Sequence, residues 1–276
     1  GMPEARHVRL VQGSHIVVRK LYDHDRAYIF QNADGRIVFA IPYEGDFTLI
    51  GTTDRDYSFD PADVRITGEE IAYLTAAASE YFDKPVTDAD IVWTYSGIRP
   101  LYDDGASKAQ EATRDYVLKL AGEEHEPKLL NVFGGKITTY RRLAESALTL
   151  IENAIGARGV SWTRGTTLPG GNMPAGDIAA YQARIVAHRP GIDPGLIERL
   201  VHTYGTRTET ILAGAAVTAD LGRDFGAGLT EAEVRYLVRN EWAKSSEDIL
   251  WRRTKLGLRV PETAPPEIDA FIASLR

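Results

Sequence analysis

The stretch NVFGGKITTYRRLAE, Asn131–Glu145, decides how this chain is read. Apolar residues lead into two glycines, a lysine and two threonines, and a helical periodicity follows. That order predicts a strand, a tight turn and a helix start with a cation at the turn. Glycine lets the backbone approach a ligand closely, and a helix N-terminus offers N–H groups to an anion. Two readings stand at Gly134-Gly135-Lys136. One is a strand-to-helix turn that needs glycine for its geometry, with Lys136 in solvent and Thr138 and Thr139 capping the helix. The other is a turn whose backbone and lysine face a polar cofactor or an anionic substrate.

Upstream of this turn the chain reads as β-rich. VRLV and HIVV predict two short strands, and AYIFQNADGRIVFAIPYEGDFTLIGTTD predicts three more, joined at Asp34-Gly35 and Glu44-Gly45-Asp46. One helix interrupts them. In TGEEIAYLTAAASEYF, Thr67 and Glu70 spell a capping box, and Ile71, Leu74, Ala78, Tyr81 and Phe82 share a face. IVWTYSGIRPL, RDYVLKL and KLLNVF then read as strands. The helix after the glycine turn carries a stripe of Leu143, Ala144, Ala147, Ile151, Ala154 and Ile155, with Gly156 to stop it.

Downstream the texture changes. TRGTTLPGGNMPAGD reads as a linker, and nearly everything beyond it is helical. Asp177, Asp193, Thr206 and Thr230 are the predicted N-caps, with Pro194 at the first helical position and Glu209 and Glu233 completing capping boxes. EVRYLVRNEWAKSSEDILWRRTKLGLRV predicts an amphipathic helix, a cap and a second helix, and PETAPPE a loop before a last short helix. The expected fold is α+β: a β-rich region over 1–160, a linker over 161–175 and an all-helical domain over 176–276.

Composition narrows the function. The 276 residues include no cysteine, which excludes disulfides, iron–sulfur clusters and thiol catalysis and points to the cytoplasm. A formal net charge of −7 argues against a general nucleic-acid binder. No apolar run approaches the roughly 20 residues that span a bilayer, and no secretory signal is visible. Gly1-Met2 reads as a tag remnant before a chosen starting point. The histidines show no metal-ligand spacing, and neither a P-loop nor a nucleophile elbow occurs. Arg99 in SGIRPL is stiffened by Pro100; Arg114 lies in TRDY. Each alone reads as an ion-paired residue, but with Lys136 they supply a fork, a fork and a point charge for a phosphate. His15 in GSHIVV reads either as a structural hydrogen-bonding residue or as a proton acceptor at a sheet end.

In their order, GSHIVV, IPYEGDFTLIGTTD, SGIRPL, TRDY, NVFGGKITTYRRLAE, LPGG and EVRYLVRNEWAKSSEDILWRRTKLGL resemble the later part of the FAD-dependent glycerol-3-phosphate dehydrogenases. FGGKITTYR with WRRTKLGL is the specific part of the match. The resemblance implies a largely antiparallel substrate-binding sheet with the last strand and helix of a flavin domain, then a helical C-terminal domain. It implies that Arg99, Arg114 and Lys136 bind the substrate phosphate, and that Gly134, Gly135, Lys136, Ile137 and Thr138 meet the flavin. His15 would take the hydroxyl proton, with Arg99 and Lys136 at the reacting centre. The implied reaction oxidises sn-glycerol 3-phosphate to dihydroxyacetone phosphate by hydride transfer to FAD, with electrons passed to a quinone. The implied full-length protein is cytoplasmic and peripheral on the membrane, with a homodimer among the expected assemblies. The family's G-x-G-x-x-G fingerprint, which cradles the dinucleotide, is absent from the 276 residues. The chain is therefore expected to be a C-terminal part that binds no FAD by itself and is inactive alone. Two other readings remain: part of a flavin-dependent amine or amino-acid oxidase, and a non-catalytic helical binding module on a β-scaffold.

Overall fold

Strands β1 (Val8–Arg19), β2 (Tyr28–Gln31), β3 (Ile37–Tyr43), β4 (Phe47–Gly51), β5 (Arg55–Asp56) and β6 (Ile91–Tyr102) form one antiparallel sheet. The computed structural model describes residues 8–105, 112–123, 125–157, 159–173 and 176–275. The Gly1-Met2 start lies outside them. The chain divides into two units, Gly1–Arg164 and Gly165–Arg276. The fold is α+β.

In the first unit β1 is the central strand. It runs unbroken through Gly13-Ser14, where the sequence predicts two shorter strands. One edge pairs with β6, from Val8 opposite Tyr102 to Val17 opposite Trp93. The other edge is shared: β4 pairs with His15–Arg19 and β5 with Val11-Gln12, so Thr52–Asp54 falls between two ladders. Strand side chains alternate between faces. On one face Ile16, Val18, Val38 and Ile50 bury against Leu74 and Ala78 of helix α1 (Gly68–Ser79). Thr67 and Glu70 do close the capping box, but the helix stops at Ser79. Tyr81 and Phe82 therefore pack from beyond its end, Tyr81 stacked on Phe30 at 4.0 Å. The opposite face of the sheet carries Val11, Gly13 and His15 beside Gly51, Tyr95 and Arg99.

The rest of this unit is narrower. β7 (Val117–Ala121) and β8 (Leu129–Phe133) form a separate two-stranded sheet, and Arg114–Tyr116 precede β7 instead of lying within it. The glycine turn and a 3-10 turn at Ile137–Thr139 lead into α2 (Tyr140–Ile155), which ends at Gly156 as its sequence predicts. The apolar stripe is present, yet α2 has no buried residue, and Leu148, Ile151 and Ile155 are exposed. Two strands about 4.8 Å apart cannot cover a helix roughly 10 Å across.

The second unit holds α3 (Ile178–His188), α4 (Pro194–Tyr204), α5 (Thr208–Ile211), α6 (Glu231–Asn240) and α7 (Ala264–Ser274) around a core that includes Ile197, Leu200, Leu212, Leu237 and Ile268. Asp177, Asp193 and Thr230 cap α3, α4 and α6. Thr206 does not act as a cap, because Gly205–Arg207 continues as a 3-10 turn into α5. Glu233 turns inward rather than back to its cap. Its carboxylate accepts from both terminal nitrogens of Arg199, at 2.8 and 2.6 Å, and from the Tyr204 hydroxyl at 2.6 Å. The predicted second helix is a π-helical turn, Asp248–Arg253, whose Trp251 indole lies where a side chain at Gly257 would be. Helix α7 begins at Ala264, so Pro265 and Pro266 stand in its first turn and not in a loop. That turn requires no N–H from them.

Candidate functional site

A cleft of about 430 Å³ opens between the end of β6 and the glycine turn, and Arg99, Arg114 and Lys136 all line it. Strand register delivers the first of these. Arg99 stands opposite Val11, and its guanidinium lies over Gly13, where a Cβ would overlap it. Glycine there gives close approach to Arg99 rather than turn geometry, so the strand continues through it. Arg99 Nη1 donates to Asp54 Oδ1 at 3.0 Å and to the Thr53 carbonyl at 3.5 Å, while Nη2 donates to Thr52 Oγ1 at 3.0 Å. Arg114 Nη2 donates to the same Asp54 oxygen at 3.2 Å.

Asp54 thus joins two like charges. In the sequence it is the last residue of IPYEGDFTLIGTTD, a predicted strand segment, and no local pattern gives it a role. Burial draws the Arg99 guanidinium below its usual pKa; Arg114 acts in the same direction and Asp54 against it. Three cations against one carboxylate leave the cleft positive in an acidic chain. Each guanidinium has five N–H donors, so the bonds to Asp54 and the Thr52–Thr53 segment leave further donors for an oxyanion.

The glycine turn forms the far wall. Gly134 and Gly135 have φ of 63° and 94°, in the left-handed region that disfavours side chains. A Cβ at Gly134 would stand 3.2 Å from the Asp115 carbonyl oxygen, and one at Gly135 3.3 Å from Leu143 and Tyr116. Lys136 N–H donates to Thr139 Oγ1 at 3.2 Å and the Thr139 N–H returns to the Lys136 carbonyl at 2.9 Å. Thr139 therefore holds the turn, while Lys136, Ile137 and Thr138 are exposed.

His15 lies on the same sheet face as Arg99 but is not among the residues lining the cleft. Its ring stacks on Tyr95, centroids 4.7 Å apart and 7° from parallel, and lies over Gly51. Burial first, and the Arg99 charge second, lower its pKa to about 4. At neutral pH the imidazole is uncharged and able to accept a proton. Its Nδ1 is buried with no hydrogen-bond partner among the described residues. Among those residues no cluster of His, Asp or Glu is placed to hold a metal ion, and no helix is long and apolar enough to cross a membrane.

Comparison with known proteins covers both units. Residues 1–141 match the family described as FAD dependent oxidoreductase, and residues 161–274 match the C-terminal domain of alpha-glycerophosphate oxidase. A Pseudomonas aeruginosa glycerol-3-phosphate dehydrogenase is 46% identical over 267 residues, 97% of this chain and 52% of the relative. The aerobic glycerol-3-phosphate dehydrogenase of Escherichia coli is 45% identical over 257 residues, 93% of this chain and 51% of the relative. A D-erythritol 1-phosphate dehydrogenase of Brucella abortus is 44% identical over 268 residues, 97% of this chain and 53% of the relative. The X-ray structure of the Bacillus halodurans glycerol-3-phosphate dehydrogenase complexed with FAD superposes with a TM-score of 0.70 at 27% identity, covering 90% of this chain and 48% of that one. The chain spans about half the length of the curated relatives it matches.

Proposed function

The chain belongs to the FAD dependent oxidoreductase family, and from that premise we propose that it forms the substrate-binding part of a flavin-linked dehydrogenase of polyol phosphates. Glycerol 3-phosphate is the first candidate substrate. The observation that carries this reading is the meeting of Arg99, Arg114 and Lys136 in one cleft. A single arginine suffices for the carboxylate of an amino acid; two forks and an ammonium suit a phosphate dianion. The erythritol phosphate relative, almost as similar as the glycerol phosphate ones, widens the substrate class to terminal phosphates of short polyols.

Family resemblance supports a flavin at the glycine turn. Gly134 and Gly135 line the cleft with positive φ and no side chain, while the Asp115, Tyr116 and Leu143 contacts explain their glycines from within the fold. Gly134, Gly135, Lys136, Ile137 and Thr138 are the residues that would hold the cofactor here. FAD, when bound, supplies a two-electron acceptor for the hydrogen on the carbinol carbon. This chain contributes the following residues. Arg99, Arg114 and Lys136 bind the phosphate and fix the substrate's orientation. Family resemblance makes His15, neutral at pH 7 and on the same sheet face as Arg99, the candidate to take the hydroxyl proton as the carbon–oxygen double bond forms. A quinone acceptor and a peripheral place on the cytoplasmic membrane belong to the same proposal, and family resemblance alone supports them.

The test is kinetic, in a full-length protein carrying these residues. Arg99→Ala should lower kcat/KM for glycerol 3-phosphate by roughly tenfold or more, because a charge-assisted bond contributes about 1.5–3 kcal/mol. His15→Asn should lower kcat far more than it raises KM and should remove an ionisation from the pH profile of flavin reduction. An unchanged kcat/KM in Arg99→Ala would remove the phosphate site from this cleft.

A further inference from the structure

We infer that Glu70 is a positioning residue for the cation cleft: its buried carboxylate fixes the Thr52–Asp54 segment that holds the Arg99 and Arg114 guanidinia. The inference rests on the anion-binding reading for its functional meaning, but its geometry stands apart from that reading.

A capping box asks one thing of the glutamate, a bond back to the cap residue's N–H. Glu70 Oε2 makes that bond to Thr67 N at 3.0 Å. Oε2 also accepts from the Thr67 hydroxyl at 3.2 Å, and the rest of the capacity is spent on other elements. Oε1 accepts from Ser14 Oγ at 2.8 Å and from Thr53 Oγ1 at 2.6 Å, and Oε2 also accepts from Gln12 Nε2 at 2.9 Å. The residue is 6% exposed. A carboxylate is costly to bury unless its lone pairs are filled, and here they are filled by the cap residue Thr67, by β1 and by Thr53.

Thr53 is the link. It is buried, and its hydroxyl donates to Glu70 while accepting the Ser14 N–H at 3.0 Å. Thr52–Asp54 lies between the ladders of β4 and β5, so regular strand pairing does not hold it in place. The bonds to Glu70 and Ser14 take the place of a ladder. On either side of this pinned residue, Thr52 Oγ1 and Asp54 Oδ1 each stand 3.0 Å from Arg99, and Asp54 also holds Arg114. With Glu70 removed, Thr53 keeps only its bonds to the Ser14 backbone, its hydroxyl accepting at 3.0 Å and its N–H donating at 3.4 Å. The Asp54 carboxylate that sets the spacing of the two arginines is then held less firmly.

The experiment is a titration of the chain with inorganic phosphate, followed through the Arg99 Nε–Hε resonance. Thr53→Val and Glu70→Gln should each weaken phosphate binding by about fivefold or more, the equivalent of one net hydrogen bond. Thr53→Ser, which keeps the hydroxyl, should stay within about twofold of the unaltered chain. Thr67→Ala removes the cap hydroxyl but not the link to Thr53. It should lower the melting temperature and leave phosphate affinity unchanged. Unchanged affinity in Thr53→Val, or equal losses in Thr67→Ala and Thr53→Val, would overturn the inference and leave Glu70 a plain cap. If the unaltered chain binds no phosphate, the anion reading falls. The positioning role is then decided by the free Arg99 resonance. It should move in Thr53→Val and hold in Thr53→Ser and Thr67→Ala, and a resonance unmoved in Thr53→Val overturns the role.

Discussion

At His15, burial and the Arg99 charge act in the same direction, and both favour the neutral ring. The folded-state pKa of about 4 lies below the ordinary 6.5, so the unfolded chain takes up the proton first. Stability is then complete above about pH 6.5 and falls as pH drops towards 4, by roughly 3 kcal/mol at most. Urea unfolding between pH 7 and 4.5 should show this slope in the unaltered chain and a flatter one in His15→Gln. Equal slopes would place His15 in a more solvated setting than the stacking on Tyr95 implies. Arg99 tests geometry against charge. Arg99→Lys keeps the cation but loses the fork that spans Thr52 and Asp54, so it should recover only part of the phosphate affinity lost in Arg99→Ala. These residues differ in how well the sequence displays them. Arg99, Arg114 and Lys136 each read alone as ion-paired or solvated residues, and only the family resemblance groups them. Asp54 is not singled out at all, since an aspartate after a strand is ordinary turn chemistry.

Elements explain where reading along the chain succeeds and where it stops. Caps are local, so Thr67, Asp177, Asp193 and Thr230 can be identified from a few residues. The second use of Glu70 joins it to Gln12 and Ser14, 58 and 56 positions away, and no local pattern encodes that. Glu233 is similar: Arg199, 34 positions earlier, takes the carboxylate that a capping box would have turned back to Thr230. Because that carboxylate is fully buried, Arg199→Met should destabilise the helical unit by about 3–5 kcal/mol, leaving an unpaired charge. Replacing both partners by apolar residues should cost much less. Thermal unfolding followed by circular dichroism distinguishes the two. The sequence predicts two short strands on either side of Gly13; Gly13 is instead the place where a continuous β1 makes room for a guanidinium. Gly13→Ala should therefore displace Arg99 and weaken phosphate binding while changing the melting temperature little, because the displaced group is the end of a flexible side chain. A large loss of stability with unchanged affinity would contradict this.

For the whole molecule, the α+β order of a β-rich region followed by helices was legible from periodicity and from the Gly- and Pro-rich stretch between them. What periodicity does not give is which faces are covered. The stripe of α2 is as predicted, yet it has no buried residue, because burial depends on how many strands lie beneath it. The central claim is that the three cations form one phosphate site. It is tested most directly by titrating isotope-labelled chain with sn-glycerol 3-phosphate and, separately, with glycerol, while following the side-chain N–H resonances of Arg99 and Arg114 and the Lys136 side chain. The account predicts that glycerol 3-phosphate shifts all three along one binding curve, that inorganic phosphate displaces it, and that glycerol leaves them in place. Shifts that follow separate curves, or that glycerol reproduces, would contradict it.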